Sequence, residues 1–270
     1  MYNKIQETVK FLKNKGLTQL DFGIILGSGL GGLTDIIDIK LEIPYKEIPN
    51  FPVSTVEGHS GALIYGEIEG KKVVAMQGRF HFYEGWSMDE VTFPVRVMKF
   101  LGIDNLIVSN ASGGVNPNFK VGDIMIIKDH INMMPNHPLR GANDERFGPR
   151  FVDMHEPYNL KMIALVEDIA KQKNIPVQKG IYLALQGPTF ETPAEYKMVF
   201  LMGTDAVGMS TVPEVIVAKH MGMQCFGLSV ITDLGIDGHV EEVSHEAVQE
   251  AAKASGKNIS ELVKTFIVNW

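Results

Sequence analysis

Residues 78–85 (Gly-Arg-Phe-His-Phe-Tyr-Glu-Gly) set polar heads between aromatic bodies and close both ends with glycine. In an extended segment residues two apart share a face, so Arg79, His81 and Tyr83 are expected to point the same way. A guanidinium fork beside an imidazole suits a tetrahedral oxyanion, because Arg donates bidentately and His either donates or accepts. Tyr83 would then bracket a neighbouring sugar. The structural alternative is a loop in which Phe80 and Phe82 plug the core while Arg79 makes an ordinary salt bridge.

Further donors come from separate stretches. Gly27-Ser28-Gly29-Leu30-Gly31-Gly32 lets backbone N–H groups crowd an anion, and Ser28 adds a hydroxyl. Asn110-Ala111-Ser112-Gly113-Gly114 reads as a second small-residue turn at a strand's end, and Ser210 stands before a helix start. Phe190 and Glu191 precede another helix start, where Phe190 can stack on a flat ring and Glu191 can accept from ring N–H groups. An acid favoured by the helix dipole is the plainer reading of Glu191. His59, in the Gly-flanked polar run 56–61, reads as an exposed loop histidine. His130, His137 and His155 match no zinc-type spacing, so no metal is expected.

The elements that must position these residues follow from periodicity. Ile5, Val9 and Leu12 mark an N-terminal helix; Phe22 to Leu26 and Lys72 to Met76 read as strands, the second delivering Arg79 just past its carboxyl end. Ser87-x-x-Glu90 is a capping box for a helix running to Gly102. Asn105 to Ser109, Asp123 to Lys128, Gly180 to Leu185 and Gln224 to Ile231 read as strands, and Lys161 to Lys173 as a helix. Thr192-Pro193-x-Glu195 and Thr211-x-x-Glu214 are two more capping boxes. His130 to Pro157 reads as a long irregular loop, of the kind that is functional or forms an interface. Residues 234–242, with Gly235 and Gly238, read as a mobile lid before a helix from Ser244 that carries His245 in its first turn.

Composition narrows the class. A chain of 270 residues with 45% hydrophobic and 21% charged residues is ordinary for a soluble globular protein. A net charge of -7 argues against a nucleic-acid or membrane-surface partner. The single Cys225 lies in an apolar run and is expected to be a buried thiol in a reducing compartment. With no signal-peptide pattern and no run approaching the ~20 apolar residues that span a bilayer, a cytoplasmic location is expected.

Six motifs in order give the chain a strong resemblance to the trimeric purine nucleoside phosphorylases over essentially its whole length. They are Gly-Ser-Gly-Leu-Gly-Gly at 27–32, Glu-Gly-His at 57–59, the 78–85 run, Asn-Ala-Ser-Gly-Gly-Val-Asn at 110–116, Thr-Phe-Glu-Thr-Pro-Ala-Glu at 189–195 and Gly-Met-Ser-Thr-Val-Pro-Glu at 208–214. The resemblance implies a single α/β domain over 1–270, built on a mixed, partly barrel-like sheet surrounded by helices. It implies phosphorolysis of purine ribo- and deoxyribonucleosides to free base and pentose 1-phosphate, with inorganic phosphate as co-substrate, no cofactor, and a homotrimer. Phosphate would be held by Ser28, Arg79, His81, the Ala111 N–H and Ser210, with His59 nearby. The sugar would lie against Tyr83, Met209 and His245, and the base against Phe190, Glu191 and Asp233. An adjacent subunit would supply an aromatic residue, for which Phe147 is the matching candidate.

One position departs from that pattern. Relatives that prefer oxopurines usually carry Asn where this chain has Asp233, and an ionised Asp only accepts. Either Asp233 is protonated beside Glu191 or it accepts from an exocyclic amine, and adenosine is expected as at least a minor substrate beside inosine and guanosine. The alternatives are a methylthioadenosine phosphorylase, opposed by the polar His245, and a dinucleotide-dependent oxidoreductase, suggested by Gly27 to Gly32 alone. The latter lacks the second strand and acid of its fingerprint.

Overall fold

The structure is a computed structural model that describes residues 1–53, 61–236, 239–240 and 243–270, without the side chains of His239 and Val240. His59 therefore lies outside the described residues, as do residues 237–238 and 241–242 of the expected lid.

In chain order the described elements are α1 (Tyr2–Asn14), β1 (Phe22–Ile25), β2 (Asp38–Pro44), β3 (Ala62–Ile68), β4 (Lys71–Gln77), α2 (Met88–Val91), α3 (Phe93–Phe100), β5 (Asn105–Gly114) and β6 (Ile124–Asn132). They continue with α4 (Leu160–Lys173), β7 (Gln178–Ala184), α5 (Pro193–Leu201), β8 (Ala206–Gly208), α6 (Val212–His220), β9 (Gln224–Ile236), β10 (His239–Val240), α7 (His245–Ala254) and α8 (Gly256–Asn269). Short 3-10 turns cover Gly31–Ile36, Tyr45–Glu47 and Phe82–Glu84.

All the described strands join one mixed sheet in the order β10-β9-β6-β7-β8-β5-β1-β4-β3-β2, and β9 also pairs with β5. That extra pairing closes β9, β6, β7, β8 and β5 into a barrel, from which β1, β4, β3 and β2 extend as an open wing. The barrel strands carry the apolar runs that burial on both faces demands. Leu106 to Val108 in β5, Ile124 to Ile127 in β6 and Cys225 to Ile231 in β9 are buried throughout. β2, at the outer edge of the wing, ends at Pro44 and shows the exposed pattern of an edge strand.

The glycine loop after β1 leads into a 3-10 turn and then edge strand β2, so it does not open the helix that a dinucleotide fold requires. Its first two glycines are fixed by packing. A Cβ on Gly27 would lie 2.6 Å from the Asn110 Cα in β5, and one on Gly29 would lie 2.6 Å from the Ala252 Cβ in α7.

Three expectations are corrected. The helix from Ser87 forms its capping box but breaks at Thr92, where Pro94 in the next turn cannot donate to the carbonyl of Glu90. The stretch 110–114 is not a turn: it continues β5 and pairs with β9 through Gly114. Small residues are needed there because strands crowd at the barrel's closure. A Cβ on Gly114 would lie 2.8 Å from the Ile231 Cγ2. Gly235 likewise belongs to β9 rather than to a hinge, since a Cβ there would enter the space of the Tyr196 ring.

Candidate active site

A cavity of about 470 Å³ opens where the barrel meets the wing. On the edge of β5 away from β9, pairing with β1 ends at Val108 and pairing with β8 begins at Gly113, so residues 109–112 have no strand beside them there. Open α/β sheets bind ligands at such a switch in strand neighbour. Ser28, Arg79, His81, Tyr83, Ala111, Phe190, Glu191, Met209, Ser210, Asp233 and His245 all line this cavity.

The anion-type donors are tied to one another. Arg79 is 1% exposed; its Nη1 donates to Ser210 Oγ at 2.7 Å and to Thr211 Oγ1 at 3.3 Å, and its Nε faces Glu214 Oε1 at 3.3 Å. Glu214 is buried too, and burial pushes its carboxyl up while the Arg79 guanidinium draws it back. The expected Thr211–Glu214 capping box therefore does not form: Thr211 makes no side-chain cap, and the Glu214 side chain turns to Arg79.

Thr211 itself has φ 71 and ψ -54, and the Val212 N–H donates back to Ser210 O at 2.7 Å. This is a γ-turn of the rare, strained kind, at a β-branched residue. The turn is braced from inside, for Asn110 Nδ2 donates to Thr211 Oγ1 at 2.8 Å and Ser229 Oγ donates to Asn110 Oδ1 at 2.5 Å. Threonine hydroxyl, strand β5 and strand β9 thus share one buried network.

His81 is held by Glu84, whose Oε1 accepts the His81 backbone N–H at 2.8 Å and sits 3.0 Å from ring Nδ1. With the proton on Nδ1 turned to Glu84, Nε2 carries the ring's lone pair. Burial lowers the ring's affinity for a second proton, with Glu84 opposing. The chain is extended only as far as His81 and then enters the 3-10 turn, so Tyr83 comes round to stack on the imidazole at 4.6 Å between ring centres. His245 enters from the first turn of α7, with Nε2 at 2.8 Å from Gln249 Nε2.

The second group of residues gathers around β9 and the start of α5. Thr192 caps α5 with the full capping box, which places Phe190 and Glu191 just ahead of it. Burial pushes the Glu191 carboxyl up to about 7, with the nearby charges of Asp233 and Glu195 adding to the shift. Asp233 accepts from Tyr196 Oη at 2.7 Å and from Thr232 Oγ1 at 3.0 Å.

Phe147 does not join the cavity. It is 8% exposed and packs inside its own chain, against Tyr2 and Phe100 and under the Arg96 guanidinium at 4.9 Å. Phe151, four residues on, is 88% exposed. His130 meets Tyr158 Oη at 3.1 Å through Nδ1, and its burial lowers it to about 4. Among the described residues no group of acids, histidines and cysteine is arranged to hold a metal. Cys225 is buried, with its thiol pushed up to about 12.

Glu214, Glu84, Asn110, Thr211 and Tyr196 shape the site without having been singled out for it by spacing. Glu84 carried a signal, since it lies three residues after His81 in the same motif. The others act across 37 to 135 positions of chain, through contacts that no local pattern records.

The model of one protein family, described as the Phosphorylase superfamily, matches residues 21–268. Purine nucleoside phosphorylase 1 of Geobacillus stearothermophilus is 52% identical over 98% of this chain and 97% of its own length. The crystal structure of Schistosoma mansoni purine nucleoside phosphorylase in complex with adenosine superposes with a TM-score of 0.93, at 41% identity, covering 98% of this chain and 96% of that one. A schistosoma purine nucleoside phosphorylase in complex with hypoxanthine also superposes with a TM-score of 0.93, at 40% identity and the same coverage. With a family match of this extent, relatives that match from end to end and a barrel shared with solved enzymes, the chain belongs to the purine nucleoside phosphorylase family of the phosphorylase superfamily.

Proposed function

We infer that this chain catalyses the phosphorolysis of purine nucleosides, releasing free base and pentose 1-phosphate. The observation that carries the reading is the single cavity in which Arg79, His81 and Ser28 meet Ser210 on one side and Phe190, Glu191 and Asp233 on the other. Inorganic phosphate is a weak nucleophile, so the site's task is to fix it beneath the anomeric carbon while the glycosidic bond loosens. Arg79, His81, Ser28, Ser210 and the Ala111 N–H are assigned to phosphate. Tyr83, Met209 and His245 are assigned to the sugar, whose ring takes on oxocarbenium character. The C1′–N9 bond breaks with its electron pair going to the purine, which Phe190, Glu191 and Asp233 hold. A phosphate oxygen then completes the new bond to C1′.

The polar His245–Gln249 pair favours a hydroxyl-bearing sugar over a methylthio group. Phosphate is the co-substrate and no other cofactor is called on. For the aromatic residue lent by an adjacent copy in a trimer, exposure favours Phe151 over Phe147. No helix among the described residues is long and apolar enough to cross a membrane, and a cytoplasmic enzyme is the reading we adopt.

The test is release of hypoxanthine from inosine and adenine from adenosine, with and without phosphate. Base release that requires phosphate and yields pentose 1-phosphate in equal amount is expected. Base release at the same rate in phosphate-free buffer would show a hydrolase and sink the reading.

A further inference from the structure

Tyr196 has no role in the reaction as described, yet the backbone of two barrel strands is cleared around it. Its side chain is 1% exposed on α5, its ring lies over Gly235, and a Cβ on Gly113 would fall 2.8 Å from its hydroxyl and 2.9 Å from Asp233 Oδ2. Any buried phenol needs a partner. The partner here is the Oδ2 of Asp233, at 2.7 Å, a carboxylate that lines the cavity.

That choice has a chemical consequence. Tyr196 donates to one Asp233 oxygen and Thr232 to the other at 3.0 Å, so what Asp233 offers the base is lone pairs. A 6-aminopurine presents an N–H donor at its exocyclic position, and a 6-oxopurine presents an acceptor. Lone pairs fit the first and oppose the second.

We propose that Tyr196 is a positioning residue for base choice, whose hydroxyl fixes Asp233 as an acceptor toward the purine 6-position and so admits 6-aminopurine nucleosides. The proposal rests on the phosphorolysis reading above and adds to it the class of base. Tyr196 also lines the cavity and its hydroxyl interacts with Glu191, but the hydrogen bond at 2.7 Å goes to Asp233, and it is through Asp233 that we take it to act.

The experiment measures kcat and KM for adenosine and inosine at saturating phosphate in four proteins: the unaltered chain, Tyr196→Phe, Asp233→Asn and the double variant. Tyr196→Phe keeps the ring over Gly235, and thermal unfolding checks that the seat survives. The unaltered chain is expected to act on both nucleosides. In Tyr196→Phe the adenosine-to-inosine ratio of kcat/KM should fall roughly tenfold or more, as removal of a hydrogen bond to a charged group predicts. With Asp233→Asn already present, removing the hydroxyl should leave that ratio within about twofold.

A merely structural tyrosine would lower both substrates together, so an unchanged ratio in Tyr196→Phe overturns the proposal. A ratio that still moves in the Asp233→Asn background does so too, as does an unaltered enzyme that cleaves inosine and ignores adenosine. Failure to release base from either nucleoside would instead remove the phosphorolysis reading beneath it.

Discussion

The two sides of the cavity are built on opposite plans. Around Arg79 the groups are buried, Ser210 only partly, and tied to one another: guanidinium on Glu214, hydroxyls of Ser210 and Thr211 on the guanidinium, Asn110 and Ser229 behind them. Around Glu191 the parts are more open and less settled. Phe190 is 39% exposed, and Glu191 sits near its titration midpoint at about 7. A site for an invariant anion gains from donors that need no reorganisation. A site for a base with either hydrogen-bond polarity gains from groups whose proton can move. The difference separates what makes the reaction go from what chooses its substrate.

The sharpest way to break this contrast is to remove its buried cation. Arg79→Ala should lower kcat/KM by roughly a thousandfold for adenosine and inosine alike, because it strikes the side that does not discriminate. Steady-state assays of both nucleosides check this, and unequal losses would mean that the two sides are not separable.

Glu214→Gln attacks the same side through its counter-charge. The Arg79 charge then lies buried without its partner carboxylate, which should cost about 3 kcal/mol in denaturant unfolding, and added phosphate should restore much of the loss by supplying an anion. Equal stability with and without phosphate would contradict the idea that Glu214 holds the charge for the substrate.

On the other side the contrast predicts a pH effect confined to selectivity. Below about 7 Glu191 carries its proton and can donate to the bare N1 of adenine; above it the carboxylate accepts the N1–H of hypoxanthine. Glu191 faces Asp233 from β9 and Glu195 and Tyr196 from α5, and the two acids favour the protonated form. The adenosine-to-inosine ratio should thus fall about tenfold for each pH unit on the alkaline side, read from kcat/KM profiles. A flat ratio from pH 6 to about 8 would remove Glu191 from base choice.

The smallest expected effect tests the seat alone. Gly235→Ala forces the Tyr196 ring to shift and should cost about 1 to 3 kcal/mol of stability. Selectivity should move with it, while the KM for phosphate stays close to its original value.

How much of this was legible depended on the range over which each feature is determined. The helix starts at Ser87 and Thr192 were readable because the capping box is written within four residues, and both form. Thr211-x-x-Glu214 is written the same way and fails, since a buried guanidinium more than a hundred residues earlier competes for both side chains. Small residues at 110–114 resemble a turn in one dimension. In three they are what lets β5 run between neighbours at the closing seam of the barrel. Phe147 and Phe151 sit in nearly identical local surroundings, and only packing against Tyr2 and Phe100 separates the buried ring from the exposed one. The donors around the cavity could be named in advance because their types and order carry the chemistry. Apart from Glu84, the groups that hold those donors in place could not.

Thr211 shows what such holding costs the molecule. Its left-handed backbone, on the order of 1 to 3 kcal/mol uphill for a branched residue, would relax if glycine stood there. The same change would delete the oxygen on which Arg79 and Asn110 converge. Glycine there would ease the backbone and at the same stroke strand two buried donors, so the strain at this position is what the molecule accepts for a firm seat beneath its guanidinium.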